Sequence, residues 1–478
     1  MTHLQTLPKE RDIRRYKHNL GMVLIMKSQM SAYFAFFVFL TFGSAHNAIA
    51  SNSSICDDLF SQGQTAYQSS DYDLAITKFT SARECLLKIS GRTENIPTAA
   101  CLHELGRAYD EMGEYDIALV NYHQSLNIKL RILGNDSSDI AVTYNNIAIV
   151  YRQKGDYEQA LEYFNRALII DKKLNGEEDP SIATVYHNIG VVYDDKGDYD
   201  SSLENNTYAL NIYLKAYGED NSYTATAYDS VGYIYREKGD FDNALLYYYK
   251  ALKIQLKILG EEHPKTAYTY NFIGNAYSDK GNFDDAFENC FKGLNIRMRL
   301  LGEEHPDTAY SYNDIGEIYH ASGDEENALD YYNRALTIRL KTIGEYHGHT
   351  AQSYNDIGEA YHASGDDDKA LDYYNHALKI RLQVYGEEHP SLSTSYYDIG
   401  IVYFAKSDYE NAVFNYLSGL KSQCGGKEAP IADDCRPERI TAQLFNGLAA
   451  AEAVLDNNDE AENATEQANL INSKLSGM

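Results

Sequence analysis

The chain has no tryptophan and no Cys-x-x-Cys pair among its 478 residues. The second absence removes the zinc knuckle and the thioredoxin-like redox motif. Gly-x-Ser-x-Gly, the P-loop, the Rossmann glycines and His-Glu-x-x-His are missing as well. The sequence therefore reads as non-catalytic, with no cofactor and no metal implied. The apolar run Ala32–Gly43 has about half the length that a membrane-spanning helix needs. Basic residues are scarce, 42 Lys and Arg against 70 Asp and Glu. So acidic a protein is repelled by phosphate, which argues against nucleic acid and anionic membrane surfaces and favours a cationic protein or peptide partner.

What is present is uneven. Residues 1–50 are basic, with Lys9, Arg11, Arg14, Arg15, Lys17 and Lys27 against Glu10 and Asp12. The apolar run follows, and then the small-x-small pattern Ala48-Ile49-Ala50. This order is that of a secretory signal peptide, with cleavage expected after Ala50 and a secreted or periplasmic product. The alternative is an uncleaved signal that anchors the remainder to the membrane. Removal of the segment leaves 36 basic and 68 acidic residues, a net charge of −32. Hydrophobic residues make up 44% of the chain, enough for a large core. Tyrosine occurs 43 times, which suggests one structural role filled repeatedly.

That role is periodic. Gly113, Gly155, Gly197, Gly239, Gly281, Gly323 and Gly365 recur at intervals of 42, with Ser407 continuing the series and Ser70 one residue out of step. A second series, Gly134, Gly176, Gly218, Gly260, Gly302, Gly344 and Gly386, keeps the same interval. Each unit predicts two helices. Tyr312, Ile315, Gly316 and Tyr319 form one stripe of a first helix, and Ala328, Tyr332 and Ala335 mark a second helix after the Gly323-Asp324 break. The second helix is expected to stop at Gly344, and the x-Pro found after most such glycines cannot continue it. The "DTA" and "KTA" segments then supply polar starts for the next first helix.

The recurrent "GEEHP", at Gly260–Pro264, Gly302–Pro306 and Gly386–Pro390, places His beside two carboxylates and invites a metal reading. It becomes "GEEDP" at Gly176–Pro180 and "GEYHGH" at Gly344–His349. Its His residues fall one unit apart, too far for one ion to collect. The motif is expected to be a loop between helix hairpins.

The slots resemble the tetratricopeptide repeat, W-x2-L-G-x2-Y, A-x3-F, P, with tyrosine (Tyr144, Tyr186, Tyr228, Tyr270, Tyr312, Tyr354, Tyr396) in the tryptophan position. The 42-residue period and "LGEEHPxTAxxYN" are similar to the long variant of kinesin light chains. The resemblance implies an all-α fold, a right-handed α-solenoid (superhelix) of stacked helix-turn-helix hairpins. Nine units are expected at about 56–88, 99–134, 141–176, 183–218, 225–260, 267–302, 309–344, 351–386 and 393–423. A loop and a capping helix pair are expected over 424–478. The resemblance also implies a non-catalytic module that binds a peptide segment or partner helix in a groove lined by the first helices. Its candidate exposed contacts are Asn145, Asn146, Arg152, His187, Asn188, Asp229, Tyr233, Arg236, Asn271, Asn275, Asn313, Glu317, His320, Asn355, Glu359 and His362. A scaffold that uses its outer surface, or a metal- or small-ligand-binding sensor, is the alternative. Outside the cytoplasm disulfides become possible. Cys56 opens and Cys85 closes one expected hairpin, with Cys101 a rival partner for Cys85; Cys424 and Cys435 bracket a loop and could pair; Cys290 fills a core slot.

Overall fold

A computed structural model describes residues 47–476, except positions 70, 388, 425, 428–430, 433–434 and 436–438. The expected signal segment up to residue 46, and Ser70, lie outside the described residues, while Ala48–Ala50 fall in the first turn of a helix. No helix among the described residues is long and apolar enough to cross a membrane. They form two compact units, one up to Val192 and one from Tyr193.

Among the described residues the architecture is all-α, twenty helices in consecutive pairs, and within each unit the pairs pack as helix hairpins. They are α1 (Asn47–Gln68) with α2 (Tyr72–Ile89), α3 (Ile96–Glu111) with α4 (Tyr115–Leu133), and α5 (Ser138–Gln153) with α6 (Tyr157–Asn175). Next come α7 (Pro180–Lys196) and α8 (Tyr199–Tyr217), α9 (Ser222–Glu237) and α10 (Phe241–Ile258), and α11 (Pro264–Lys280) and α12 (Phe283–Leu301). Then follow α13 (Pro306–Ser322) with α14 (Glu325–Thr342), α15 (Gly348–Ala363) with α16 (Asp367–Tyr385), α17 (Ser391–Ala405) with α18 (Tyr409–Gln423), and α19 (Arg439–Val454) with α20 (Asn458–Ser476). In the unit from Tyr193 the first helices α9, α11, α13 and α15 touch in turn.

Most hairpins close through a near-contact at a recurrent glycine. A Cβ on Gly316 would lie 2.6 Å from the Tyr332 ring, and Gly106, Gly232, Gly358 and Gly400 meet Tyr122, Tyr248, Tyr374 and Tyr416 in the same way. Glycine in mid-helix costs about 1 kcal/mol in propensity. Here it lets a large ring lie flat on the facing helix, and Tyr332 is 1% exposed. Other tyrosines have a different task. Tyr151 on Tyr163, Tyr235 on Tyr247, Tyr319 on Tyr331 and Tyr361 on Tyr373 form half-buried stacks. Arg166, Lys250 and Arg334 lie over three of them.

The turns explain the motifs. In "Gly-Asp" the glycine takes positive φ, +82° at Gly323, and the next residue caps the second helix. Asp156, Asp198, Asp240, Asp324, Asp366 and Asp408 each accept from the backbone N–H three residues on. Glu114, in the same place, makes no such bond. The longer loop caps the first helix two residues earlier than expected. In "HPDTA" the cap is the histidine: Nδ1 of His263, His305 and His347 accepts from the N–H of Lys265, Asp307 and His349, each at 3.1 Å. Asp179 and Asn221 do the same for Ser181 and Tyr223. Both side chains offer an acceptor at the same reach, which is why aspartate can replace histidine. The threonine expected near the start of the helix ties the loop instead, Thr308 Oγ1 donating to the Gly302 carbonyl at 2.8 Å. The second acid of the loop reaches the next unit: Asp220 pairs with Lys257, Glu262 with Arg299 and Glu304 with Lys341. These pairs are exposed and contribute at most about 1 kcal/mol each.

Both ends carry a crosslink. Cys56 is bonded to Cys85 and Cys424 to Cys435, whereas Cys101 and Cys290 are buried free thiols.

Candidate functional site

The candidate contacts divide in two when burial is examined. Asn145, His187, Asp229, Tyr233, Arg236, Asn271, Asn313 and Asn355 are buried, so the expectation that they are exposed groove contacts is corrected. The reason is the junction between hairpins. Asn145, Arg236, Asn271 and Asn355 bond across to the first helix 43 residues on, and Asp229 and Asn313 bond to the second helix of their own hairpin. Asn146, Arg152, Asn188, Asn275, Glu317, His320, Glu359 and His362 keep partial exposure.

In the unit up to Val192, Asn188 Nδ2 donates to Asn145 Oδ1 at 2.9 Å, and Asn146 Nδ2 donates to His103 Nε2 at 2.9 Å. The second bond needs an unprotonated Nε2. Burial, then the charges of Lys129 and Arg107, hold the His103 ring neutral, well below the usual histidine range. Lys129 is itself buried and donates to Thr143 Oγ1 at 2.8 Å; its ammonium is pushed down to about 8 by burial.

In the unit from Tyr193, Asp229 is enclosed and accepts from Gln255 Nε2 at 2.9 Å and Thr269 Oγ1 at 3.0 Å. Burial pushes its carboxyl up to about 8 despite these donors. Arg236 Nε donates to Asp279 at 2.6 Å. Asn271 and Asn275 both donate to Asp314, at 2.5 and 3.3 Å. Asn313 donates to Glu317 at 2.8 Å; Asn355 donates to Glu359 at 3.0 Å and to Asp398 at 3.1 Å. Asp398 is raised to about 7 by burial, with Asp356 adding to the rise. His320 pairs with Glu325 and His362 with Asp367, both at 2.7 Å.

The amide oxygens of two of these asparagines are already used. Arg339 Nη1 donates to Asn313 Oδ1 and Arg381 Nη1 to Asn355 Oδ1, both at 3.2 Å. With its oxygen on a guanidinium, its nitrogen on one or two carboxylates and at most 1% of its surface exposed, neither carboxamide is within reach of a peptide backbone. What faces outward is the carboxylate layer that the asparagines orient: Asp314, Glu317 and Glu359, partly exposed on α13 and α15. The reading by motif missed Arg297, Arg339 and Arg381, which lie outside the family's slots. Their signal was in the sequence, because they too are 42 apart.

A repeated hairpin with glycine-on-ring closure and a helix-terminating turn at fixed spacing defines an α-helical repeat array. The tetratricopeptide repeat family model matches residues 98–139 and, in overlapping windows, 139–423. The chain belongs to the tetratricopeptide repeat family, and this makes it a protein-interaction module. No curated protein matches it. Among solved structures it is similar to BtubC from P. vanneervenii, at 24% identity over 49% of this chain and 92% of that one, TM-score 0.38. It is also similar to TPR-like repeats described as kinesin light chain from Podosopora anserina, at 22% over 43% and 98%, TM-score 0.35. A third is a Rap protein complexed with competence and sporulation factor, at 16% over 79% and 99%, TM-score 0.49.

Proposed function

We propose that the chain is a non-catalytic receptor for a cationic peptide segment or partner helix, bound on the first-helix face of α13, α15 and their neighbours, outside the cytoplasm. The observation that carries this reading is the layer of partly exposed carboxylates, Asp314, Glu317 and Glu359, each held by an asparagine amide. Held acceptors lose less side-chain freedom when a lysine or arginine docks. The location is supported by the basic-apolar-small order of residues 1–50 and by two disulfides, which persist in oxidising compartments.

The test is a crosslinking pull-down with Ser51–Met478 beside a Glu317→Gln/Glu359→Gln variant. Glutamine keeps an acceptor for Asn313 and Asn355 and removes only charge, so the fold is preserved. The reading requires a partner captured by the parent and lost from the variant, with capture weakened by salt. Equal capture by both would move the interaction to the outer surface, as expected of a scaffold. N-terminal sequencing of the protein from its native host tests the location: a start at Ser51 supports it, and an intact Met1 in a cytoplasmic fraction sinks it.

A further inference from the structure

One position on the second helix recurs as a buried polar residue: Lys129, Asp171, Tyr213, Gln255, Arg297, Arg339 and Arg381, all 42 apart. Its surroundings are set by two others, 26 residues before it and 14 after it. Arg339 is 2% exposed and donates to Asn313 Oδ1, to Ser353 Oγ at 2.5 Å and to the His349 carbonyl at 3.1 Å. Asn313 belongs to its own hairpin and Ser353 to the next. Arg381 repeats this with Asn355 and Ser395, and Arg297 donates to Ser311, which also accepts from Asn271 at 3.3 Å. Lys129 donates to Thr143, whose hydroxyl lies 3.5 Å from His103 Nδ1. At Gln255 the bonds run through Asp229, which accepts from both Gln255 and Thr269. At these five junctions a polar group on the second helix is tied, directly or through one residue, to a hydroxyl on the following first helix.

The other two of these seven positions show the complement. After Asp171 the residue 14 on is Val185, and after Tyr213 it is Ala227. A hydroxyl is present where the second helix offers Lys, Gln or Arg, and absent where it offers Asp or Tyr. The energetics favour such matching. A guanidinium that is almost wholly buried needs several acceptors, and those hydrogen-bonded to Arg339 are all neutral, so the loss of one leaves charge uncompensated.

We propose that this pair of positions is a stacking code that decides which hairpin can follow which. The array then has one interchangeable stretch, the hairpins from α11 to α18, whose junctions carry the same Arg–Ser pair. A whole 42-residue unit could be lost there without a mismatch, whereas a unit removed next to Tyr213 would leave one.

The experiment has two arms on the full chain, read by hydrogen exchange of α13–α16 and by urea unfolding. In the first, Ser353→Val is expected to raise local opening roughly tenfold, and Ser353→Thr to leave it unchanged, because threonine serves at Thr143. Arg339→Leu should couple to Ser353→Val and add independently to Ser395→Val, its non-cognate partner. In the second, excision of residues 306–347 brings Arg297 into register with Ser353, and cooperative unfolding should survive. Excision of residues 222–263 sets Tyr213 against Thr269, and early opening at that junction is expected. The code is overturned if Val and Thr at position 353 behave alike, if cognate and non-cognate pairs couple equally, or if both excisions unfold alike.

Discussion

Asp229→Asn should stabilise the α9–α11 region at neutral and alkaline pH, by a magnitude that follows from the carboxyl. Buried Asp229 titrates near 8, against about 3.9 in an unfolded chain. Its folded pKa is raised, so the folded state binds the proton more tightly. The contribution to stability is full below about pH 4 and is lost as pH rises toward 8. At pH 7 the accumulated loss is about 4 kcal/mol, at about 1.36 kcal/mol per pH unit over roughly three units. Asparagine removes the titration and keeps an acceptor for Gln255 and Thr269. It is also the chain's own choice, since Asn271, Asn313 and Asn355 occupy the same place one, two and three units on. The assay is urea unfolding by far-UV circular dichroism at pH 5 and pH 8, with exchange mass spectrometry to localise the change. The parent should open more readily around α9–α11 at pH 8 than at pH 5, and the variant should not. Parallel pH profiles for the two proteins, or a variant less stable at pH 8, would refute the reasoning.

Further outcomes are expected at other positions. Gly316→Ala should destabilise the α13/α14 hairpin by about 1–3 kcal/mol, because its Cβ would lie 2.6 Å from the Tyr332 ring; exchange confined to that hairpin is the readout. His305→Ala should cost about 1 kcal/mol through the lost cap, and His305→Asp should cost little, as Asp179 already serves this purpose. Burial lowers the folded-state pKa of His263 and His347, so their contribution is full above about pH 6.5 and declines as pH falls below it, which thermal melts between pH 7 and 5 would show. Finally, the Cys56–Cys85 bond spans a sequence separation of 29, and its reduction should loosen α1 and α2 by about 3–4 kcal/mol. Cys101, fully buried with its thiol pushed up to about 12, should resist alkylation until the chain is denatured.

The hairpins were legible because three signals coincide at one period: ring and alanine slots, glycine at the turns, and acid after the glycine. The cap was misplaced by two residues because "DTA" and "HP" are both plausible starts, and only the backbone shows that Nδ1 of His305 reaches Asp307. The candidate face was half legible. Polar residues beside a core stripe on an isolated helix face water, and from one unit alone Asn313 or Asp229 is a surface residue. Stacking the next hairpin buries them, and nothing within a single repeat announces how closely that neighbour approaches.

The buried asparagines also explain why the acidic layer survives so much negative charge. Glu359 and Asp398 share the Asn355 amide, and Arg381 polarises that amide from behind. A guanidinium beneath a carboxamide strengthens its N–H groups as donors, so two carboxylates can share one neutral side chain. Asp356 lies close enough to raise the Asp398 carboxyl further, a cost the arginine offsets. The arginine column therefore serves two links at once: toward the next hairpin it fixes the stack, and toward solvent it permits a face of acids whose own repulsion would otherwise loosen the helices that carry them.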